Sequence, residues 1–188
     1  MKATRQFSRR KFIQLSASAI GVGATVSCGR LSSPWRSLTD QEARTLSSLC
    51  GQIIPEDDDP GAVSAGVVNY IDIQLASHFR AMRPIYRRGV AELNDRSMQR
   101  YGRSFPEISD QLQLDFLTSI ERDQEWNGSF LRGFFRIVID HTMQGFYGDP
   151  RHGGNRHRVS WAMLRLPYPP IRGRFRGETG AAGAALAT

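Results

Sequence analysis

The chain has 188 residues, 40% of them hydrophobic, which suits one domain with a moderate core; two cysteines, Cys28 and Cys50, are too few for a disulfide-built scaffold. The formal net charge of +7 suggests a nucleic-acid binder only until the charge is located. Five of the 25 basic residues (Lys2, Arg5, Arg9, Arg10, Lys11) stand in the first eleven positions, the remainder sets 20 bases against 18 acids, and no apolar run reaches the roughly 18–20 residues that span a bilayer.

The N-terminus reads as an address. Ser8-Arg9-Arg10-Lys11-Phe12-Ile13 is followed by Leu15 to Val26, a weakly apolar run rich in Ala, Gly and Ser. This is the layout of an export signal, with Arg9, Arg10 and Phe12 marking the twin-arginine (Tat) route, whose cargo crosses the membrane folded. A basic surface helix is the plainer alternative. Thr25-Val26-Ser27-Cys28 has the shape of a lipobox with Thr25 in place of the usual leucine, so Cys28 is a candidate lipidation site. Ordinary cleavage nearby and retention of the segment as an anchor are the alternatives. A single acyl chain would hold a protein to a membrane only weakly and reversibly. Residues 1–27 are read as the signal segment and 28–37, with Ser32-Ser33-Pro34, as a linker.

A helical domain over 38–168 follows. Thr39-Asp40-Gln41-Glu42 is a capping box, and Ala43, Leu46, Leu49, Cys50 and Ile53 repeat at helical spacing until Pro55. Cys50 lies on that apolar face and is read as a buried small hydrophobe rather than a reactive thiol. Glu56 to Asp59 with Pro60-Gly61 is a solvated acidic turn, lacking the alternating ligands and internal glycine of a calcium loop. Val63, Val67, Tyr70, Ile71 and Leu75 predict a second helix to about His78. Pro84 suits the first turn of a third, with Ile85, Val90 and Leu93 inward and Arg83, Arg87 and Arg88 outward. Phe105-Pro106 breaks the chain, and Ser109 or Asp110 caps a fourth helix bearing Leu112, Phe116 and Ile120. Asn127-Gly128-Ser129 turns into the fifth, Phe130 to about Phe146. Leu131, Phe134, Phe135, Val138, Ile139 and Met143 make it apolar on more than one side, so it is read as the central helix. A last helical turn is expected over Val159 to Leu164, and a disordered tail over 169–188. No stretch alternates with period two for long. The expected fold class is all-α: a single bundle of five to six short helices with a structured Pro/Gly corner near the C-terminus.

That corner is the stretch after the central helix. Asp149-Pro150 cannot continue a helix, and Gly153-Gly154-Asn155 offers three residues tolerant of positive φ, bracketed by Phe146, Tyr147 and Trp161. Such a loop is either a rigid corner or a docking surface; Trp161 is read as bracing it, and Arg151 and His152 as contacting a partner. No dinucleotide-binding glycine motif, haem-attachment motif, nucleophile elbow or phosphate loop is present, so no cofactor is expected on this chain. His141, Asp149, His152 and His157 leave an independent metal-dependent enzyme as an alternative, although their spacing fits no standard zinc or facial-triad pattern. Arg151, Arg156, Arg158, Arg165, Arg172, Arg174 and Arg176 follow one another with no acid between Asp149 and Glu178. They suit an acidic partner, phospholipid headgroups or a solvated tail, and a lipid-anchored scaffold using Cys28 is a further alternative. Nucleic acid is not expected as a partner of an exported protein.

The chain resembles the gluconate 2-dehydrogenase subunit 3 family. The resemblance is carried by the L-T-x-x-E-A opening at Leu38, by Ile53-Ile54-Pro55, Pro60-Gly61-Ala62 and Tyr70-Ile71-Asp72, and most specifically by Asp149-Pro150, Gly153-Gly154-Asn155 and Trp161, after His141-Thr142 and Gly145-Phe146. It departs from the family's pattern at Gln144, often an acid; at His152, often tyrosine; and at Arg165-Leu166-Pro167, where glycine, an aromatic and proline are commoner. The resemblance implies a non-catalytic small subunit of a membrane-bound dehydrogenase. A large partner subunit would carry FAD and oxidise a sugar, sugar acid or polyol, and a cytochrome c subunit would pass the electrons on to quinone. The small subunit would support the flavoprotein and supply its export signal to the Tat translocase. The implied location is the periplasmic face of the inner membrane.

Overall fold

The computed structural model describes residues 33–166. The signal residues Arg9, Arg10 and Phe12, the candidate lipidation site Cys28 and the tail 169–188 lie outside the described residues. Among the described residues, six α-helices joined by short 3-10 turns, with no strand, form the all-α bundle that the periodicity predicts. None of these helices is long and apolar enough to cross a membrane.

Helix α1 (Asp40–Ile53) starts on the predicted capping box: Thr39 accepts the Glu42 amide, and the Glu42 carboxylate accepts the Thr39 amide at 2.7 Å. Ala43, Leu46, Leu49 and Cys50 are buried on its inner face. Helix α2 (Val67–Ala76) starts later than its apolar spacing suggests, and Val63 is 52% exposed. The chain must first turn back, with Ala62 donating to the Ile54 carbonyl and Gly66 taking the left-handed conformation at φ 71°. Helix α3 (Arg83–Tyr101) has Pro84 in its first turn and ends at Gly102, also left-handed at φ 72°. Arg87 and Arg88 are exposed as expected. Arg83 is not: it is half-buried, and its Nε donates to the Leu75 carbonyl at 2.7 Å, closing the end of α2.

Helix α4 (Asp110–Arg122) is capped by Ser109 and buries Phe116 and Ile120 as expected. Leu112, in its first turn, is 38% exposed, while Phe105 and Ile108 from the preceding turn are buried. Gln113 is buried and donates to the Ile108 carbonyl. Helix α5 (Phe130–Tyr147) packs against α1, α2, α3, α4 and the short α6 (Val159–Met163), and is the central helix. Leu131, Phe134, Phe135 and Val138 are buried as expected, while Ile139 is half-buried and Met143 is 43% exposed. In the last turns of α5 the inward positions pass to His141, Thr142, Gly145 and Phe146.

Part of the stretch read as linker is fastened to this bundle. The buried Asp72 carboxylate accepts the amides of Arg36, Ser37 and Leu38 at 2.8, 2.8 and 3.0 Å. Three amide donors on one carboxylate offset its removal from water, and they lay residues 36–38 across α2.

Candidate functional site

The end of α5 and the turns after it form the corner. Asp149 caps the 3-10 turn Pro150–His152, its Oδ1 accepting the Arg151 amide at 3.0 Å, and Arg151 folds back so that Nε and Nη2 reach Oδ2 at 2.9 and 2.7 Å. The Arg151 amide first, then its guanidinium, hold the Asp149 carboxyl below the usual carboxylate range. The three residues expected to take positive φ divide the work differently. Gly153 (φ 97°) and Asn155 (φ 44°) are left-handed, and Gly154 is not. Gly154 is needed for close approach, since a Cβ there would lie 2.1 Å from the Gly145 carbonyl oxygen. His157 (φ 58°) and Arg158 (φ 61°) are left-handed as well, which their residue types do not announce.

Buried polar contacts hold this backbone. Asn155, fully buried, donates to the Gly148 carbonyl at 3.0 Å and accepts the Ser160 amide at 3.1 Å. The Ser160 hydroxyl donates to the Phe146 carbonyl, and Trp161 Nε1 donates to the Tyr147 carbonyl at 2.9 Å. Two of the orphan carbonyls at the end of α5 thus find donors on α6. From the other side Asn69 of α2 donates to the Gly153 carbonyl at 2.8 Å, and the Arg156 amide donates to the Ala65 carbonyl. Phe146 and Trp161 are buried and brace the turn, whereas Tyr147 is 38% exposed and points its surface elsewhere.

His141 stands apart from the corner. It is buried, stacked on Phe79 at 4.2 Å between centroids, and lies 2.7 Å from the Tyr86 hydroxyl through Nδ1. Burial lowers its pKa, so the neutral ring is favoured, and the Tyr86 hydroxyl, whose own pKa burial raises well above the ordinary value, donates to it. His152 and His157 are exposed. Among the described residues no three His, Cys, Asp or Glu side chains come close enough to hold a metal ion, so His141, Asp149, His152 and His157 are not gathered into one site. Cys50 is buried and accepts a hydrogen bond from Thr142, and burial pushes its thiol up to about 12.

Beside the corner the last turns of α2 and α5 diverge and leave an open groove of about 680 Å³. Ile73, Phe79, Met143 and Tyr147 are among its walls, with His78, Arg151 and His152 also lining it. It brings together Arg151 and His152, singled out in the sequence, with residues that were not.

Residues 40–167, well over half of the chain, match the family model described as gluconate 2-dehydrogenase subunit 3. The chain belongs to the gluconate 2-dehydrogenase subunit 3 family. Nothing among the curated proteins or the solved structures matches it. In this family member the matching motifs sit where backbone must be fixed. Gly145 admits the Tyr70 ring, from which a Cβ would lie 2.9 Å away; Asp149 and Asn155 hold the corner; Asp72 holds the strap before α1. Asp72 and Asn69 gave a readable signal: they fall in a segment apolar on several sides, where a polar residue needs a buried partner. Tyr86, stacked parallel to His141, gave none, because a tyrosine at an apolar helix position looks like core.

Proposed function

We propose that this chain is the non-catalytic small subunit of an exported, FAD-dependent sugar, sugar-acid or polyol dehydrogenase complex. In this reading FAD sits on the large partner subunit, a cytochrome c subunit carries the haem, and the complex works on the periplasmic face of the inner membrane. Arg9, Arg10 and Phe12 address this chain to the Tat translocase, and the flavoprotein crosses with it, folded and loaded. Arg151 and His152, exposed on the outer side of the corner, are the contact with the flavoprotein.

Family membership is the observation that carries this reading. The described polar groups agree with it: Asp72, Asn155 and Ser160 spend their hydrogen bonds on backbone, and His141 is enclosed by aromatic rings. The test is export and co-purification. Replacing Arg9 and Arg10 by lysine should strand both this chain and a flavin-bearing subunit in the cytoplasm. If the flavoprotein is exported regardless, or the chain leaves its native membranes as a stable monomer with no flavoprotein attached, the reading fails.

A further inference from the structure

We infer that the groove between the ends of α2 and α5 is the seat for an acidic, apolar-tipped segment of the large dehydrogenase subunit. This rests on the accessory-subunit reading above and adds to it the surface and the chemistry of what binds there.

The first observation is where the apolar stripe of α5 goes. Ile139, Met143 and Tyr147 recur every four residues on one side of the helix, and the last two are exposed where the first is not. Ile139 is half-buried, Met143 is 43% exposed and Tyr147 is 38% exposed. The core ends before the stripe does. Methionine adapts its shape to a partner and tyrosine adds area at little entropy cost, which is why both are enriched where proteins meet. Phe79 and Ile73 continue the same surface across the groove.

The second observation is charge. His78, Arg151 and His152 line the groove, and no acid is among its lining residues. Asp149, next to them in sequence, is paired with Arg151, so the two together add little net charge and the histidines supply the rest of the polar edge. An apolar side chain flanked by aspartate or glutamate would find the His78 and His152 imidazoles and the edge of Arg151 as partners, whereas a basic segment would find no acid among the lining residues.

The third observation is rigidity. Tyr70 lines the groove with its hydroxyl hydrogen-bonded to Gln144 at 3.0 Å, the Tyr147 carbonyl is held by Trp161, and the Gly153 carbonyl by Asn69. A preformed wall loses little entropy when something docks against it. At about 680 Å³ the groove takes one turn of helix or a short loop, not a second globular face.

The test uses the full chain co-expressed with the flavoprotein subunit of its own complex. A photoreactive benzoyl-phenylalanine replaces Tyr147 or Met143 in the groove, or Leu114, which is 46% exposed on α4. The proposal expects crosslinks to the flavoprotein from 147 and 143 and none from 114. Tyr147→Ala and His152→Glu, each compared with the parent chain by thermal melt to confirm that it folds, should each weaken the complex about ten-fold or more, and binding should weaken as salt rises. Co-purification with crosslinks from 114 only would overturn the groove while leaving the accessory-subunit reading intact. Crosslinks between two copies of this chain would overturn it in favour of a self-interface. Binding indifferent to salt and to His152→Glu would overturn the acidic partner. A chain that never binds the flavoprotein would sink both readings together.

Discussion

Asp72 shows how much one buried carboxylate can organise. It is 1% exposed, and its partners are three consecutive backbone amides rather than a base. Asp72→Asn keeps the shape but turns an amide donor toward other donors. It should cost on the order of 3 kcal/mol in denaturant unfolding, far more than an exposed Asp58→Asn. His141 makes a pH-dependent contribution whose sign follows from its enclosure. Its folded pKa lies below the ordinary value of 6.5, so the unfolded chain binds the proton more readily. Stability at this site is therefore complete above about pH 6.5 and is lost as pH falls from there toward the folded pKa. The slope should stay below the roughly 1.4 kcal/mol per pH unit of a whole proton, and it should shrink in His141→Gln. Melts between pH 7.5 and 5 on both proteins would measure it.

Among the helices, the packing of α3 on α5 depends on the absence of a methyl group. A Cβ on Gly89 would stand 2.2 Å from Cγ of the buried Phe134 ring. Gly89→Ala gains about 1 kcal/mol of helix propensity, but it must push apart two packed helices. The net effect should be a loss of about 2 kcal/mol, read as a lower unfolding midpoint. The end of α6 offers the opposite case. Arg165 sits left-handed at φ 54° while the Leu166 amide reaches back to the Trp161 carbonyl, the geometry in which glycine usually closes a helix. Arg165→Gly should stabilise the protein by about 1 kcal/mol and raise Tm by roughly 4 °C. The helices themselves were legible because capping residues and apolar spacing are local signals: Thr39 with Glu42, Pro84 and Ser109 act where they were expected, and the Asn127-Gly128-Ser129 turn leads into α5. How far each buried face extends was less so. Leu112 is 38% exposed one turn before the buried Phe116, and how much of a helix's first turn its neighbours cover is not written in that helix.

For the molecule as a whole, the domain begins before its first helix. Ser33 to Leu38 carry Leu38, which is buried, Trp35, packed on the core, and the amides that satisfy Asp72. A chain starting at Ser33 should melt like the full-length protein. One starting at Thr39 leaves a buried carboxylate without its donors and should lose about 5 kcal/mol, enough to unfold a domain of ordinary stability. The all-α class and the existence of the corner could be read from residue types in order, because caps, proline, glycine and helical periodicity act within a few positions of one another. The family was legible only as a resemblance, carried by motifs such as Asp149-Pro150 and Gly153-Gly154-Asn155. The division of labour inside the corner could not be read so. That Gly154 answers the Gly145 carbonyl, that Asn155 ties Gly148 to Ser160, and that Met143 and Tyr147 face a groove beside Arg151 and His152 are consequences of α2 and α5 meeting. Such contacts join residues far apart in the chain, and chain order alone does not say which of them will touch.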